Sequence, residues 1–93
     1  MGTEILDEIF DVIKDRIERP KEDSYVCRLL SEGKAPDKVK EETEELLEAA
    51  ATGLQEKIIH ETADLLFHVM VLIGEKGVEL NDVMEELKRR RRK

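Results

Sequence analysis

Five acidic side chains near the middle of the chain carry the first chemical signal. Glu41, Glu42 and Glu45 fall in the pattern EExxE, and Glu61 and Asp64 in the pattern ExxD, within the stretch from Lys38 to Asp64. Residues three apart share a helix face, so Glu42 projects with Glu45 and Glu61 with Asp64. Between the clusters, Thr52-Gly53 is a helix-stop signal. A turn there folds two helices antiparallel and brings the two acidic pairs face to face. Four carboxylates aimed at one spot repel, and the cost rises as water is withdrawn, unless a cation sits among them. Hard oxygen donors of this kind suit magnesium or manganese. The expectation is a divalent-metal site on a helical hairpin, and a metal of that type usually handles phosphates.

Other readings compete for the same residues. In a chain with 42% charged residues, Glu41 to Glu48 also reads as a solvated acidic helix face. Ion pairs with Lys38, Lys40, Lys57 or arginines could satisfy the acids without a metal. Against this, Glu61 and Asp64 stand in the most apolar part of the sequence, where a buried acid is rare unless it is paired or metal-bound. His68 continues their line one turn on and reads as a hydrogen-bonded core histidine, with a supporting contact to Asp64 as an option. Arg16, Lys34 and Lys38 are candidates for substrate-phosphate contact by charge and neighbourhood, though each could equally be a surface charge. Tyr25 either stacks on a base or caps the core. Cys27 reads as a small buried side chain, because no partner pattern surrounds it.

The elements that must position these groups are helices. Thr3 can cap a first helix reaching about Arg19, with Ile5, Leu6, Ile9, Phe10, Ile13 and Ile17 as its apolar stripe, ended by Pro20. Ser24 caps a short helix with Val26, Leu29 and Leu30 buried, stopped by Gly33. Pro36 suits the first turn of a third helix running to about Thr52. Its inward stripe is expected to be Val39, Thr43, Leu46, Leu47 and Ala50, with Glu42 and Glu45 flanking it, partly exposed, and Glu44 and Glu48 pointing outward. The fourth helix begins near Leu54 or Gln55 and ends near Gly77. Apolar residues from Ile58 to Ile73, including Ile59 and Leu66, cover more than half its circumference, so it must be packed on several sides. Gly74 near its end allows close packing or fraying. A fifth helix follows, capped by Glu79 or Asn81, with Leu80, Val83, Met84 and Leu87 inward. Arg89 to Lys93 form a basic end that suits a helix C-terminus. Alternating patterns and hairpin turn pairs are lacking, so strands have little support.

The chain is expected to be all-α and one domain over residues 1–93, with about five helices around a central antiparallel hairpin. Such a length buries only a modest core, and the fourth helix has more apolar surface than its neighbours can cover. A homodimer or higher homo-oligomer is therefore expected. A net charge of −7 argues against nucleic acid as the main partner, and the basic tail lacks interleaved aromatics. No apolar run reaches the length of a membrane span, no signal peptide opens the chain, and a lone cysteine fits a reducing cytoplasm.

The pattern EExxE, fifteen residues and then ExxD resembles the signature of the all-α nucleoside-triphosphate pyrophosphohydrolases, the MazG-like superfamily. Within it the sequence is most similar to the phosphoribosyl-ATP pyrophosphohydrolases. The likeness covers nearly the whole chain, through DVIKDRIERPKEDSYVCRLLSEG, KVKEETEELLEAA and HETADLLFHVMVLIGEKGVELNDVMEELKRR. Lys40 stands where that family commonly has glycine. The resemblance implies magnesium-dependent cleavage of phosphoribosyl-ATP between its α- and β-phosphates, an early step of histidine synthesis. It implies magnesium held by Glu42, Glu45, Glu61 and Asp64, with Glu41 as a further ligand or a base that orients water. It also implies dimers or tetramers in which the helical hairpins of two chains complete a four-helix-type bundle. The alternatives are a house-cleaning pyrophosphohydrolase for dNTPs or other NTPs, and a non-catalytic helical interaction module whose acids are only a charged surface.

Overall fold

Three glycines, Gly33, Gly53 and Gly77, and two prolines, Pro20 and Pro36, punctuate the chain into five helices. The structure, a computed structural model, describes residues 2–91. Helix α1 spans Glu4–Glu18, α2 Tyr25–Ser31, α3 Ala35–Thr52, α4 Gln55–Glu75 and α5 Leu80–Arg90. No strand occurs among the described residues. Ser24 caps α2 through its hydroxyl, which accepts the Cys27 amide at 3.2 Å. Thr3 and Glu79 stand at the N-caps of α1 and α5 but neither makes the side-chain capping bond. Arg92 and Lys93, the last two residues of the basic end, lie outside the described residues.

The α3–α4 turn is a left-handed cap. Gly53 has φ +72°, a conformation that costs a residue with a Cβ but not glycine. Thr52 seals the turn. Its hydroxyl donates to the Ala49 carbonyl at 2.6 Å and accepts the Leu54 amide at 3.1 Å. The two helices then run antiparallel, and theirs is the most extensive helix–helix contact of the fold.

The core lies away from this turn. Phe10, Ile13, Val26, Leu29, Ala35, Met70, Val71 and Leu80 form one buried cluster, where α1, α2 and the C-terminal half of α4 meet. Ile13 and Val71 are completely enclosed, and burial of each stabilises the fold by roughly 2 kcal/mol. Gly74 permits the close approach of α1. A Cβ there would come within 3.3 Å of both Ile13 Cγ2 and Ile17 Cδ1. Gly74 thus serves packing rather than fraying. Cys27 is half-buried, accepting the Lys21 amide and donating to the Arg16 carbonyl, both at 3.4 Å.

Several apolar positions are placed differently from their helical pattern. On α3 Ala35 and Ala49 are buried, while Leu47 and Ala50 face outward, Leu47 with 65% exposure. On α4, Ile59 is 67% exposed and Leu66 is also exposed; so are Ile5 on α1 and Leu87 on α5. The physical reason is supply. Five short helices cannot enclose every face of the longest one, and residues 50–57 at the turn end are all exposed. Conversely, Glu42 is more deeply buried than its flanking position suggested, at 4% exposure.

Candidate functional site

Three acids of α3 form a single stripe with one lysine. Lys38, Glu41, Glu42 and Glu45 recur at helical spacing, so their side chains stack along one face. Lys38 Nζ lies 3.1 Å from Glu41 Oε1 and 3.3 Å from Glu42 Oε2. Its ammonium is held above its usual range, first by the bond from Glu41 and then by that from Glu42. The ion-pair reading is therefore correct for one oxygen of Glu42. The other oxygen, Oε1, is buried and has no hydrogen-bond partner.

Across the hairpin, α4 offers a matching group. Glu61 is half-buried, and its Oε1 is likewise enclosed without a partner. Asp64 lies one turn further on, with His60 Nε2 3.4 Å from its Oδ2. One ligand atom from each of Glu41, Glu42 and Glu45 lies within 4.8 Å of the others, and the same holds for His60, Glu61 and Asp64. The two groups sense each other. Glu45 has its carboxyl pushed up from the ordinary value, chiefly by the charge of Glu42, then by its own partial burial, then by Glu61 and Glu41, with Lys38 opposing. Beside them a cleft of about 390 Å³ opens between α3 and α4, with Glu45 and Glu48 on one wall and His60 and Glu61 on the other.

Burying a carboxylate oxygen without a donor is costly, and native proteins rarely do so. Two such oxygens on facing helices, in a neighbourhood that raises a third acid's proton affinity, are what a cation would relieve. The donors are all hard oxygens apart from the exposed His60, a set that fits magnesium or manganese better than zinc. Glu42, Glu45, Glu61 and Asp64 could thus hold a metal, with Glu41 alongside.

The basic candidates divide. Lys38 stands inside the acidic stripe. Lys34, at the α3 N-cap one turn earlier, is exposed and 3.8 Å from Glu32 Oε1. Arg16 pairs with Asp15 at 3.0 Å and lines a different cleft of about 640 Å³, shared with Cys27, Arg28 and Glu75 and with none of the five acids. His68 is buried, as a core histidine should be, but its contact with Asp64 goes to the main-chain carbonyl, at 2.7 Å, rather than to the carboxylate. His60 was not anticipated, although its spacing of four from Asp64 is a signal that could have found it.

The family model described as phosphoribosyl-ATP pyrophosphohydrolase matches residues 6–91. A protein of Methanococcoides burtonii named phosphoribosyl-ATP pyrophosphatase is 45% identical over 91 residues, covering 94% of this chain and 92% of its own. Proteins of the same name from Sulfurisphaera tokodaii and Methanopyrus kandleri are 44% and 40% identical, the former covering 97% of this chain and 98% of its own and the latter 96% of each. The chain belongs to the phosphoribosyl-ATP pyrophosphohydrolase family.

Proposed function

We propose that this chain hydrolyses phosphoribosyl-ATP to phosphoribosyl-AMP and pyrophosphate, in histidine biosynthesis, with magnesium held by Glu42, Glu45, Glu61 and Asp64. The observation that carries this is the pair of buried, partnerless oxygens, Glu42 Oε1 and Glu61 Oε1, on facing helices of a chain from this family. The whole span of 1–93 acts as one domain, in a cytoplasmic setting. The relatives' shared name favours phosphoribosyl-ATP over dNTPs as substrate.

Bound magnesium would supply charge neutralisation on the polyphosphate and a lowered pKa for a bound water. The protein's own residues do the rest. Carboxylates on two rigid helices fix the site better than loops would. Glu41, exposed at the rim beside Lys38, orients the attacking water and takes its proton as the water oxygen bonds to the α-phosphorus. The bond from that phosphorus to the bridging oxygen breaks, and pyrophosphate leaves. Lys38 moves from Glu41 toward the departing charge, with Lys34 one turn away, and Arg16 is the remaining candidate for contact with the substrate.

Pyrophosphate release measured on phosphoribosyl-ATP beside a panel of dNTPs is expected to be fastest on phosphoribosyl-ATP and to cease in EDTA. Faster turnover of a dNTP would assign a house-cleaning role instead. We further propose that the protein is at least a homodimer. Ile59, Ala63 and Leu66 recur along one exposed face of α4, and Leu47 and Ala50 along one of α3, which supports hairpins pairing into a four-helix bundle. Light scattering after size exclusion should give twice the chain mass or more at micromolar concentration; a monomer would refute the pairing.

A further inference from the structure

Tyr25 and His68 are separated by 43 positions in sequence, yet they meet edge to face with ring centroids 5.7 Å apart. His68 is only 6% exposed. Its Nδ1 lies 2.7 Å from the main-chain carbonyl of Asp64, and its Nε2 lies 2.9 Å from the Tyr25 hydroxyl. The carbonyl can only accept, so Nδ1 carries the proton. In the neutral ring this leaves Nε2 as the acceptor, and the Tyr25 hydroxyl donates to it. Both ring nitrogens are thus committed. The tyrosine is held in turn from its other sides, by Phe67 with centroids 6.2 Å apart and by the Arg28 guanidinium 5.5 Å from its ring.

The result is a continuous tie from α2 to the turn of α4 that carries Asp64. Packing alone does not require this chemistry. A phenylalanine at 25 would fill the same space, and an apolar residue at 68 would avoid burying a ring with two polar atoms. Tyr25 is 38% exposed, yet its hydroxyl bonds His68.

We propose that Tyr25 and His68 are positioning residues: acting through the Asp64 main chain, they hold its carboxylate at the register in which α3 and α4 share a divalent cation. This inference rests on the metal site proposed above. Neither residue touches the metal or the substrate.

The test is Mn²⁺ binding, followed by calorimetry and by the electron paramagnetic resonance of the free ion, in the intact protein and in Tyr25→Phe, His68→Gln and His68→Ala. The intact protein's own affinity tests the metal site; the ratio of variant to parent tests the tie. Loss of a group that orients a ligand typically costs 10- to 100-fold in metal affinity. Tyr25→Phe should therefore bind Mn²⁺ about tenfold more weakly with its helical circular dichroism unchanged. On phosphoribosyl-ATP its KM should stay near that of the parent, while its rate at limiting Mn²⁺ falls and recovers in excess metal. His68→Gln, which keeps a hydrogen-bonding side chain, should fall between the parent and His68→Ala. A Tyr25→Phe protein that folds and binds Mn²⁺ as tightly as the parent overturns the proposal, even if His68→Ala unfolds. So does a ¹⁵N spectrum placing the His68 proton on Nε2 alone.

Discussion

Glu42→Gln and Glu61→Gln, made separately, should each lower kcat for pyrophosphate release from phosphoribosyl-ATP by about a hundredfold or more. A metal ion contributes several kcal/mol of transition-state stabilisation, and about 3 kcal/mol corresponds to two powers of ten in rate. Glutamine keeps the shape and one acceptor oxygen but removes the charge. The companion expectation concerns stability. Without metal, each variant should melt no lower than the parent, because a buried oxygen lacking a partner gives way to a group that repels its neighbours less. If the acids served only as ion-pair partners, Glu42→Gln would instead destabilise, since Lys38 would lose a contact while activity stayed intact. Glu44→Gln, on the exposed side of α3, is the control and should leave the rate unchanged. Steady-state kinetics and thermal melts on the same preparations separate the two patterns.

Removal of divalent cations should lower the melting temperature near neutral pH, and acid should restore part of the loss. The sign follows from Glu45. Its folded-state carboxyl is pushed above the ordinary value of 4.5, chiefly by the charge of Glu42. An acid whose pKa is raised on folding disfavours the fold when ionised. The penalty is complete above the folded pKa, shrinks as pH falls through it, and vanishes below the unfolded value of 4.5. Stability of the metal-free protein should therefore rise as pH is lowered from 7 toward that value. Added magnesium acts in the opposite pH sense, because protons compete with it for the same oxygens. At a hundred times its dissociation constant, a ligand of the folded state stabilises by about 2.7 kcal/mol. For a domain of this size that amounts to roughly 10–20 °C. Scanning calorimetry at pH 5 and pH 7, each with EDTA and with magnesium, should show the largest metal effect at pH 7. Melting curves indifferent to both additions would remove the electrostatic basis of the site.

The parts of this design written in local spacing were legible before any coordinates. Gly53 at the hairpin turn, Ser24 capping α2 and the three-residue spacing of Glu42–Glu45 and Glu61–Asp64 each follow from one short stretch of chain. What local pattern could not settle was depth. Glu41 and Glu42 are neighbours in sequence, but the 100° step of the helix exposes the first and buries the second, and only the position of α4 decides which. Leu47, Ile59 and Leu66 read as core because they are apolar at helical spacing, yet a chain of this length has nothing to lay over them. The Tyr25–His68 bond joins α2 to α4 across 43 positions, so no window of sequence contains it. Arg16 shows the same limit in charge terms. Its basic character was plain, but its place in the α1–α2 cleft depends on how those helices pack.

One measurement bears most directly on whether the two acidic turns share an ion. Crystals grown or soaked with Mn²⁺ can be examined by anomalous diffraction at the manganese edge. We predict a peak between α3 and α4 at about 2.0–2.3 Å from carboxylate oxygens of both helices, including Glu42 and Glu61. A map with no peak there, or with manganese confined to one helix while Glu42 Oε1 and Glu61 Oε1 are bridged by water, would contradict it.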